Sequence, residues 1–290
     1  MKEIVSYLRF RVATYPRVRE EMKKLTKDFE IGSVRRMIEE DIKDRLKLLP
    51  FGISLYAGAW GEPDPGDIAL VTLPLSSSIA YKDIRDGDEK KLKIKDRRVR
   101  ERIMEKIVEF VKRKLEEGGI SPWYFDKCLE GIELEEKAGM DPAKYLKSVE
   151  LKTGYLTAGS AVALTELVCR KKGEKLGEKV MGKILESAKY FGMAVQLVDD
   201  FFDFEKDLQN GRYTLLAHIA MRHGDSPENG RKYRREGMSV INSYIRKAVS
   251  MLEGEGTDKL HRTAKFMGKI LYELAQVSRI IPIYQLATNY

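Results

Sequence analysis

The stretch from Gly192 to Asp207 reads GMAVQLVDDFFDFEKD, and it decides the fold. On a helix, Asp199, Asp203 and Asp207 recur every fourth residue and share one face. Like charges at this spacing repel by about 0.2–0.5 kcal/mol per pair. A helix therefore gains nothing from stacking them unless a cation binds there.

The residues around these aspartates decide between two interpretations. The first interpretation is a charged surface helix with a solvated acidic face. The apolar residues before Asp199 and the phenylalanines after Asp200 favour the other, a helix buried on much of its circumference. Buried carboxylates without a compensating cation are costly. Hard oxygen ligands suit Mg²⁺, which keeps several waters and bridges to phosphates. The pattern therefore predicts a Mg²⁺–phosphate site within a helical bundle.

Apolar residues at intervals of three and four dominate the rest of the chain, and strand signals are nearly absent. We find no internal repeat, low-complexity linker or abrupt change of composition, so residues 1–290 are predicted to form a single all-α domain of about ten helices. The predicted helices span 2–12, 17–28, 33–48, 51–60, 66–85, 97–117, 121–137, 141–171, 174–208, 213–223, 229–252 and 257–285.

Composition excludes several classes of protein. The 290 residues include 53 Lys and Arg against 45 Asp and Glu, a formal charge of +8. The two cysteines, Cys128 and Cys169, rule out a disulfide scaffold and a thiolate zinc cluster, and they favour a reducing, cytoplasmic location. The basic excess fits a solvated surface, a nucleic-acid face or a site for anionic substrates. The basic residues from Lys90 to Arg102 lack the interleaved aromatics of a nucleic-acid reader, so no nucleic-acid partner is expected.

Three motifs together resemble a known family. The pattern Gln196-x-x-Asp199-Asp200-x-x-Asp203 resembles the second aspartate-rich motif of the trans-prenyltransferases, the polyprenyl diphosphate synthases. Upstream, ELKTGYL from Glu150 resembles the Lys-Thr motif of that family, and downstream NGRYTL from Asn210 is similar to a shortened Gly-Lys…Thr-Leu segment. The resemblance implies an isoprenoid-synthase-type helical bundle around a central cavity.

The first half of the chain departs from the family pattern. The stretch SSIAYKDIRD, from Ser77 to Asp86, stands where the first aspartate-rich motif is expected. Lys82 replaces its first aspartate, whereas Asp83 and Asp86 remain. The segment RLKLLP, from Arg45 to Pro50, stands where the family binds isopentenyl diphosphate and keeps only a basic residue and the proline. Binding of an allylic substrate therefore looks better preserved than binding of isopentenyl diphosphate.

The resemblance also implies roles for individual residues. Catalysis would involve Asp199, Asp203, Lys152 and Gln196, and Mg²⁺ would bind Asp199, Asp200 and Asp203, with Asp83 and Asp86 holding further metal. The substrate diphosphate would contact Lys152, Thr153, Arg212, Arg45, Lys47, Lys82 and Lys91. An ammonium at Lys82 can pair with phosphate in place of one metal charge, or it can abolish ionisation.

The function that follows is a Mg²⁺-dependent prenyltransferase that takes a prenyl diphosphate and releases diphosphate, with an acceptor other than, or in addition to, isopentenyl diphosphate. Two alternatives stay open: a class I terpene cyclase on the same fold, and a non-catalytic subunit of a heteromeric synthase. We expect a homodimer, and peripheral membrane contact through a lipid product stays open. The apolar run of Met238, Ile241, Tyr244, Ile245 and Val249 predicts either core or a dimer seam.

Overall fold

The computed structural model describes residues 10–44, 48–87, 94–254, 260–262, 264–266 and 268–269. The helices predicted for 2–12 and 257–285 lie mostly outside this part of the chain. Three predicted diphosphate ligands, Arg45, Lys47 and Lys91, lie outside the described residues as well.

Within the described residues the chain is helical, with no strand. The prediction of an all-α fold is therefore confirmed. The twelve α-helices of these residues are α1 (Tyr15–Leu25), α2 (Gly32–Asp44), α3 (Leu48–Ala57), α4 (Pro65–Asp86), α5 (Arg97–Glu117), α6 (Trp123–Ala138), α7 (Pro142–Val149), α8 (Tyr155–Lys171), α9 (Glu178–Phe202), α10 (Phe204–Gln209), α11 (Leu215–Arg222) and α12 (Arg234–Ser250). None of the described helices combines the length and apolarity needed to cross a membrane.

The chain divides into two compact units. Unit 1 comprises Met1–Asp126 and Gly159–Leu176, and unit 2 comprises Lys127–Ala158 and Gly177–Tyr290. The chain passes from one unit to the other three times: within α6, within α8 and between Leu176 and Gly177. The single domain expected over 1–290 stays a prediction.

Unit 1 is organised around α4. Asp64 caps the N-terminus of this helix by accepting a hydrogen bond of 2.8 Å from the Gly66 N–H, and Gly87 ends it in the left-handed region at φ 69°. Helices α1, α2 and α5 all pack against α4. Ser160 on α8 donates a hydrogen bond of 2.7 Å to the Val71 carbonyl, which ties α8 to α4.

Unit 2 is organised around α9, which packs against α12. Ser187 on α9 donates a hydrogen bond of 2.6 Å to the Ala248 carbonyl, and both residues are buried. Met238, Ile241 and Ile245 of α12 are buried within the single chain. These three residues therefore serve as core, as one of the two interpretations of the apolar run predicted.

The helix predicted over 174–208 is broken in two. It begins at Glu178, and α9 ends at Phe202, because Asp203 adopts φ −84° and ψ 9° before α10 starts. Aspartate side chains compete with helical backbone hydrogen bonds, so they favour such local breaks. The Asp203 N–H still donates to the Asp199 carbonyl at 2.9 Å, and the Asp207 N–H to the Asp203 carbonyl at 2.8 Å. The three aspartates thus follow one another turn by turn.

Candidate functional site

A π-helical segment carries the Lys-Thr pair. Glu150–Gly154 is π-helical and lies between α7 and α8, and the flanking residues Val149 and Tyr155 keep helical dihedral angles. The chain is thus helical throughout 142–171, near the predicted range of 141–171, and changes from α-helix to π-helix for one wide turn. π-helical turns are rare and are frequently found at functional sites. The wide turn places Lys152 and Thr153 in the interior of unit 2.

Glycines bring two neighbouring helices close to this segment. A Cβ on Gly131 of α6 would lie 2.4 Å from the Lys152 backbone nitrogen. A Cβ on Gly192 of α9 would lie 2.5 Å from the Thr153 carbonyl oxygen. Real Cβ atoms essentially never approach backbone this closely, so each position requires glycine in this packing. The π-helical segment is therefore held tightly between α6 and α9.

Asp200 is the most deeply buried of the four aspartates between Asp199 and Asp207. One of its carboxylate oxygens accepts a hydrogen bond from the Tyr145 hydroxyl, and the other accepts one of 2.7 Å from the Gln196 side-chain amide. The Thr153 hydroxyl in turn donates to the Gln196 amide oxygen at 2.8 Å. These bonds connect α7, the π-helical segment and α9 through one buried polar network.

Lys152 is largely, but not fully, buried and pairs with a residue that sequence reasoning missed. Its Nζ lies 2.9 Å from an oxygen of Glu135 on α6, and the two side chains are 12% and 25% exposed. Burial alone would lower the pKa of Lys152, but Glu135 and Asp200 outweigh it and raise that pKa, so the ammonium stays charged. Glu135 belongs to no motif of the sequence. The one signal that could have found it is Gly131, one turn earlier, which brings α6 against Lys152.

The electrostatics of the network are those of a buried acid with a cation nearby. Burial raises the pKa of Asp200, while Lys152 and the hydrogen bonds from Tyr145 and Gln196 oppose this rise. Burial and the adjacent Asp200 carboxylate raise the pKa of Tyr145 well above its usual value, so its hydroxyl keeps its proton and acts as a donor. We call Tyr145, Lys152, Thr153, Gln196, Asp200 and Glu135 the Asp200 network.

The acidic face itself is not buried, which corrects the expectation from the sequence. Asp199 is exposed, and Asp203 is 29% exposed with Lys206 at 4.0 Å. The apolar residues next to these aspartates, such as Leu197 and Phe201, are buried on the other faces of α9. Asp200 is buried with them, whereas Asp199 and Asp203 are not. No group of three or more His, Cys, Asp or Glu side chains among the described residues is arranged to hold a metal ion by protein ligands alone.

The remaining predicted residues lie elsewhere. Arg212 is an exposed residue after α10, and its N–H donates to the Asp207 carbonyl at 2.8 Å. Lys82, Asp83 and Asp86 belong to unit 1, in the last turns of α4. Lys82 and Asp83 are half-buried, and Asp86 is exposed. The structure therefore gathers Lys152, Thr153, Gln196 and Asp200 in unit 2, with Asp199 and Asp203 beside Asp200 in the chain.

Comparison with solved structures identifies the fold. The chain is similar to a decaprenyl diphosphate synthase from Rhodobacter capsulatus, with a TM-score of 0.72, 13% identity and coverage of 96% of this chain and 99% of that one. It is similar to a polyprenyl synthase from Caulobacter crescentus, complexed with calcium and isoprenyl diphosphate, with a TM-score of 0.70, 14% identity and coverage of 93% and 97%. A geranyltranstransferase from Methanosarcina mazei gives a TM-score of 0.61 at 19% identity, with coverage of 90% and 98%.

No family model and no curated protein sequence matches the chain. At 13% to 19% identity the likeness establishes the fold, and the chain has the trans-prenyltransferase fold that its motifs predicted.

Proposed function

We propose that the protein is a Mg²⁺-dependent prenyltransferase that binds an allylic prenyl diphosphate and transfers its prenyl group with release of diphosphate. The observation that carries this proposal is the Asp200 network. It fixes the inward side of α9 through buried hydrogen bonds to Tyr145 and Gln196. The exposed Asp199 and the part-exposed Asp203 are thereby held in place one turn apart.

The donor set fits Mg²⁺. This ion dehydrates reluctantly, so proteins commonly bind it through one or two carboxylates and leave the other positions to water and substrate phosphates. Asp199 and Asp203 would supply these carboxylates. Asp200, predicted as a third ligand, already accepts a hydrogen bond on each oxygen, and we assign it to positioning the other two. When bound, the metal would act as a Lewis acid that stabilises the leaving diphosphate.

Lys152 supplies positive charge for the diphosphate in this proposal. Its ammonium lies in unit 2 beside Thr153, and Glu135 and Asp200 keep it protonated. A preorganised cation stabilises charge as it develops on a leaving group, without a reorganisation cost at that moment. Glu135 would orient the ammonium, and Arg212 would add a second cation from the segment after α10.

The acceptor is proposed to be other than, or in addition to, isopentenyl diphosphate. Lys82 replaces an aspartate of the first motif, and only Lys47 and Pro50 remain of the segment that binds isopentenyl diphosphate in the family. Metal binding by Asp83 and Asp86 and a homodimer stay predictions. The fold supports transferase chemistry because the similar solved structures are named as prenyl diphosphate synthases and a geranyltranstransferase.

The test is release of diphosphate by the purified chain with C10 to C20 prenyl diphosphates and Mg²⁺, with and without isopentenyl diphosphate. We expect release that Asp199→Ala abolishes and that Glu178→Ala, a matched control at the exposed start of α9, leaves unchanged. No release under any condition would overturn the enzymatic proposal and favour a non-catalytic subunit. Release that survives Asp199→Ala would overturn the site, and a cyclic hydrocarbon product would identify a terpene cyclase.

A further inference from the structure

The hydroxyl of Tyr145 has a second role besides its bond to Asp200. The backbone of Leu215 also hydrogen-bonds to this hydroxyl and acts to lower the pKa of Tyr145. A bond that lowers the pKa of a phenol stabilises its charged form, so the Leu215 N–H is the donor and the phenolic oxygen accepts. A tyrosine hydroxyl can donate and accept at the same time. One buried side chain therefore bonds to α9 and to α11.

The Leu215 N–H is in a position that needs such a partner. Leu215 is the first residue of α11, and the first N–H groups of a helix have no acceptor within it. Thr214 is of a type that commonly caps helices, but its side chain makes no capping bond to the first turn of α11, which the structure describes in full. Tyr145 thus caps α11 from another helix.

The ring of Tyr145 reinforces this attachment. Its centroid lies 4.9 Å from that of His218, which is one turn further along α11. Tyr145, Leu215 and His218 are all buried, and the three residues line the same cavity. The start of α11 is therefore attached to Tyr145 by both a hydrogen bond and a ring contact.

The segment fixed in this way carries Arg212. Two residues separate Arg212 from Leu215, and the Arg212 N–H donates to the carbonyl of Asp207, on α10, at 2.8 Å. The backbone around the exposed Arg212 is thus anchored on one side to α10 and on the other side to Tyr145. The position of the Arg212 guanidinium depends on both anchors.

We propose that Tyr145 is a positioning residue that fixes the spacing between Arg212 and the proposed metal-binding aspartates, the two sides of the diphosphate site. This inference rests on the proposed function for the roles of those ligands. Tyr145 itself contacts neither metal nor substrate in it, and acts through Asp200 on α9 and through Leu215 on the segment of Arg212. Ligands that are already spaced for diphosphate lose less freedom on binding, which strengthens binding.

The test is binding of inorganic diphosphate in excess Mg²⁺, measured by isothermal titration calorimetry on the purified chain. Arg212→Ala and Tyr145→Phe should each weaken binding about tenfold, the effect of one hydrogen bond to a charged group. The double variant should lose clearly less than the roughly hundredfold of two independent effects. Tyr124→Phe, which removes a similarly buried hydroxyl in unit 1, should bind like the wild type.

A second pair of variants removes the N–H instead of the hydroxyl. Leu215→Pro deletes this N–H at the first position of α11, where proline is tolerated, and the preceding Thr214 already has the extended backbone that proline favours. Leu215→Ala also removes the leucine side chain but keeps the N–H. We expect Leu215→Pro to bind diphosphate several-fold more weakly than Leu215→Ala, and circular dichroism confirms that each variant is folded.

Three results would overturn the positioning role: unchanged binding by Tyr145→Phe, independent effects in the double variant, or equal binding by Leu215→Pro and Leu215→Ala. Absence of diphosphate binding by the wild type would overturn the diphosphate site and this inference with it. Failure of prenyl transfer alone is seen separately, as a chain that binds diphosphate but releases none from a prenyl diphosphate.

Discussion

The hydroxyl of Tyr145 donates a hydrogen bond to a carboxylate oxygen of Asp200 across 55 positions of sequence, and both residues are buried. This bond joins the start of the helical run that contains the Lys-Thr pair to the helix that carries the aspartates. It therefore links two motifs that the sequence shows only as separate segments.

Removal of the tyrosine hydroxyl should destabilise the fold. Tyr145→Phe keeps the ring but leaves one oxygen of the buried Asp200 carboxylate without its donor, which typically costs about 1–3 kcal/mol. We expect a loss of this size in the free energy of unfolding, measured by chemical denaturation. In a double-mutant cycle with Asp200→Asn the two losses should be clearly non-additive. Additive losses would show that the two side chains do not interact.

The pH dependence of the free energy of unfolding should reveal the raised pKa of Asp200. Its pKa is raised in the folded state, so the folded protein binds this proton more tightly than the unfolded chain. The contribution of this group is present below about pH 4, the usual pKa of aspartate, and is lost as the pH rises through the raised pKa. As the pH increases above 4, the free energy of unfolding of Asp200→Asn should therefore change relative to that of the wild type in favour of the variant.

Denaturation of both proteins between pH 4 and pH 7 measures this difference. Parallel curves for Asp200→Asn and the wild type would contradict the assignment of a raised pKa to Asp200.

Loss of the largely buried Lys152 should lower the free energy of unfolding more than loss of an exposed lysine. Lys152→Met removes the ammonium that lies 2.9 Å from the part-buried Glu135 carboxylate, and removal of one partner of a buried pair typically costs about 3–5 kcal/mol. The double variant Lys152→Met/Glu135→Leu should recover much of the free energy of unfolding. Lys127→Met removes one partner of an exposed pair on the same helix, with Glu130, and should change stability little. Equal effects of Lys152→Met and Lys127→Met would contradict the burial of the pair.

The packing of α6 against the π-helical segment can be tested at one glycine. Gly131→Ala would place its Cβ 2.4 Å from the Lys152 nitrogen, so we expect a loss of about 1–3 kcal/mol in the free energy of unfolding from overpacking. Gly182→Ala, within α9, meets no atom within 4 Å and should instead stabilise the protein slightly, because alanine favours helix. Thermal denaturation compares the two. Similar behaviour of both variants would contradict the close approach.

The fold could be predicted from the sequence because helical periodicity and the motifs indicate the same architecture. The aspartate motif also located the region of the candidate site. Its orientation could not be predicted, because the periodicity of Asp199, Asp203 and Asp207 gives a shared face but not whether that face is buried. Burial of Asp200 depends on Tyr145 and Gln196, and Tyr145 lies on another helix.

The partner of Lys152 and the break in the long helix were beyond the reach of the sequence as well. Glu135 becomes a partner only through the close approach at Gly131, which is a contact distant in sequence. The dihedral angles of Asp203 and the π-helical turn at Glu150–Gly154 change the backbone over only one to five residues within strongly helical segments. Periodicity averaged over a window does not register such departures.

The rate of diphosphate release from a C20 prenyl diphosphate, measured over a titration of Mg²⁺, tests the central claim most directly. The proposal predicts a rate that saturates with Mg²⁺ and falls about a hundredfold or more in Asp199→Ala, while Glu178→Ala matches the wild type. Release that needs no divalent metal, or that is unaffected by Asp199→Ala, would contradict it.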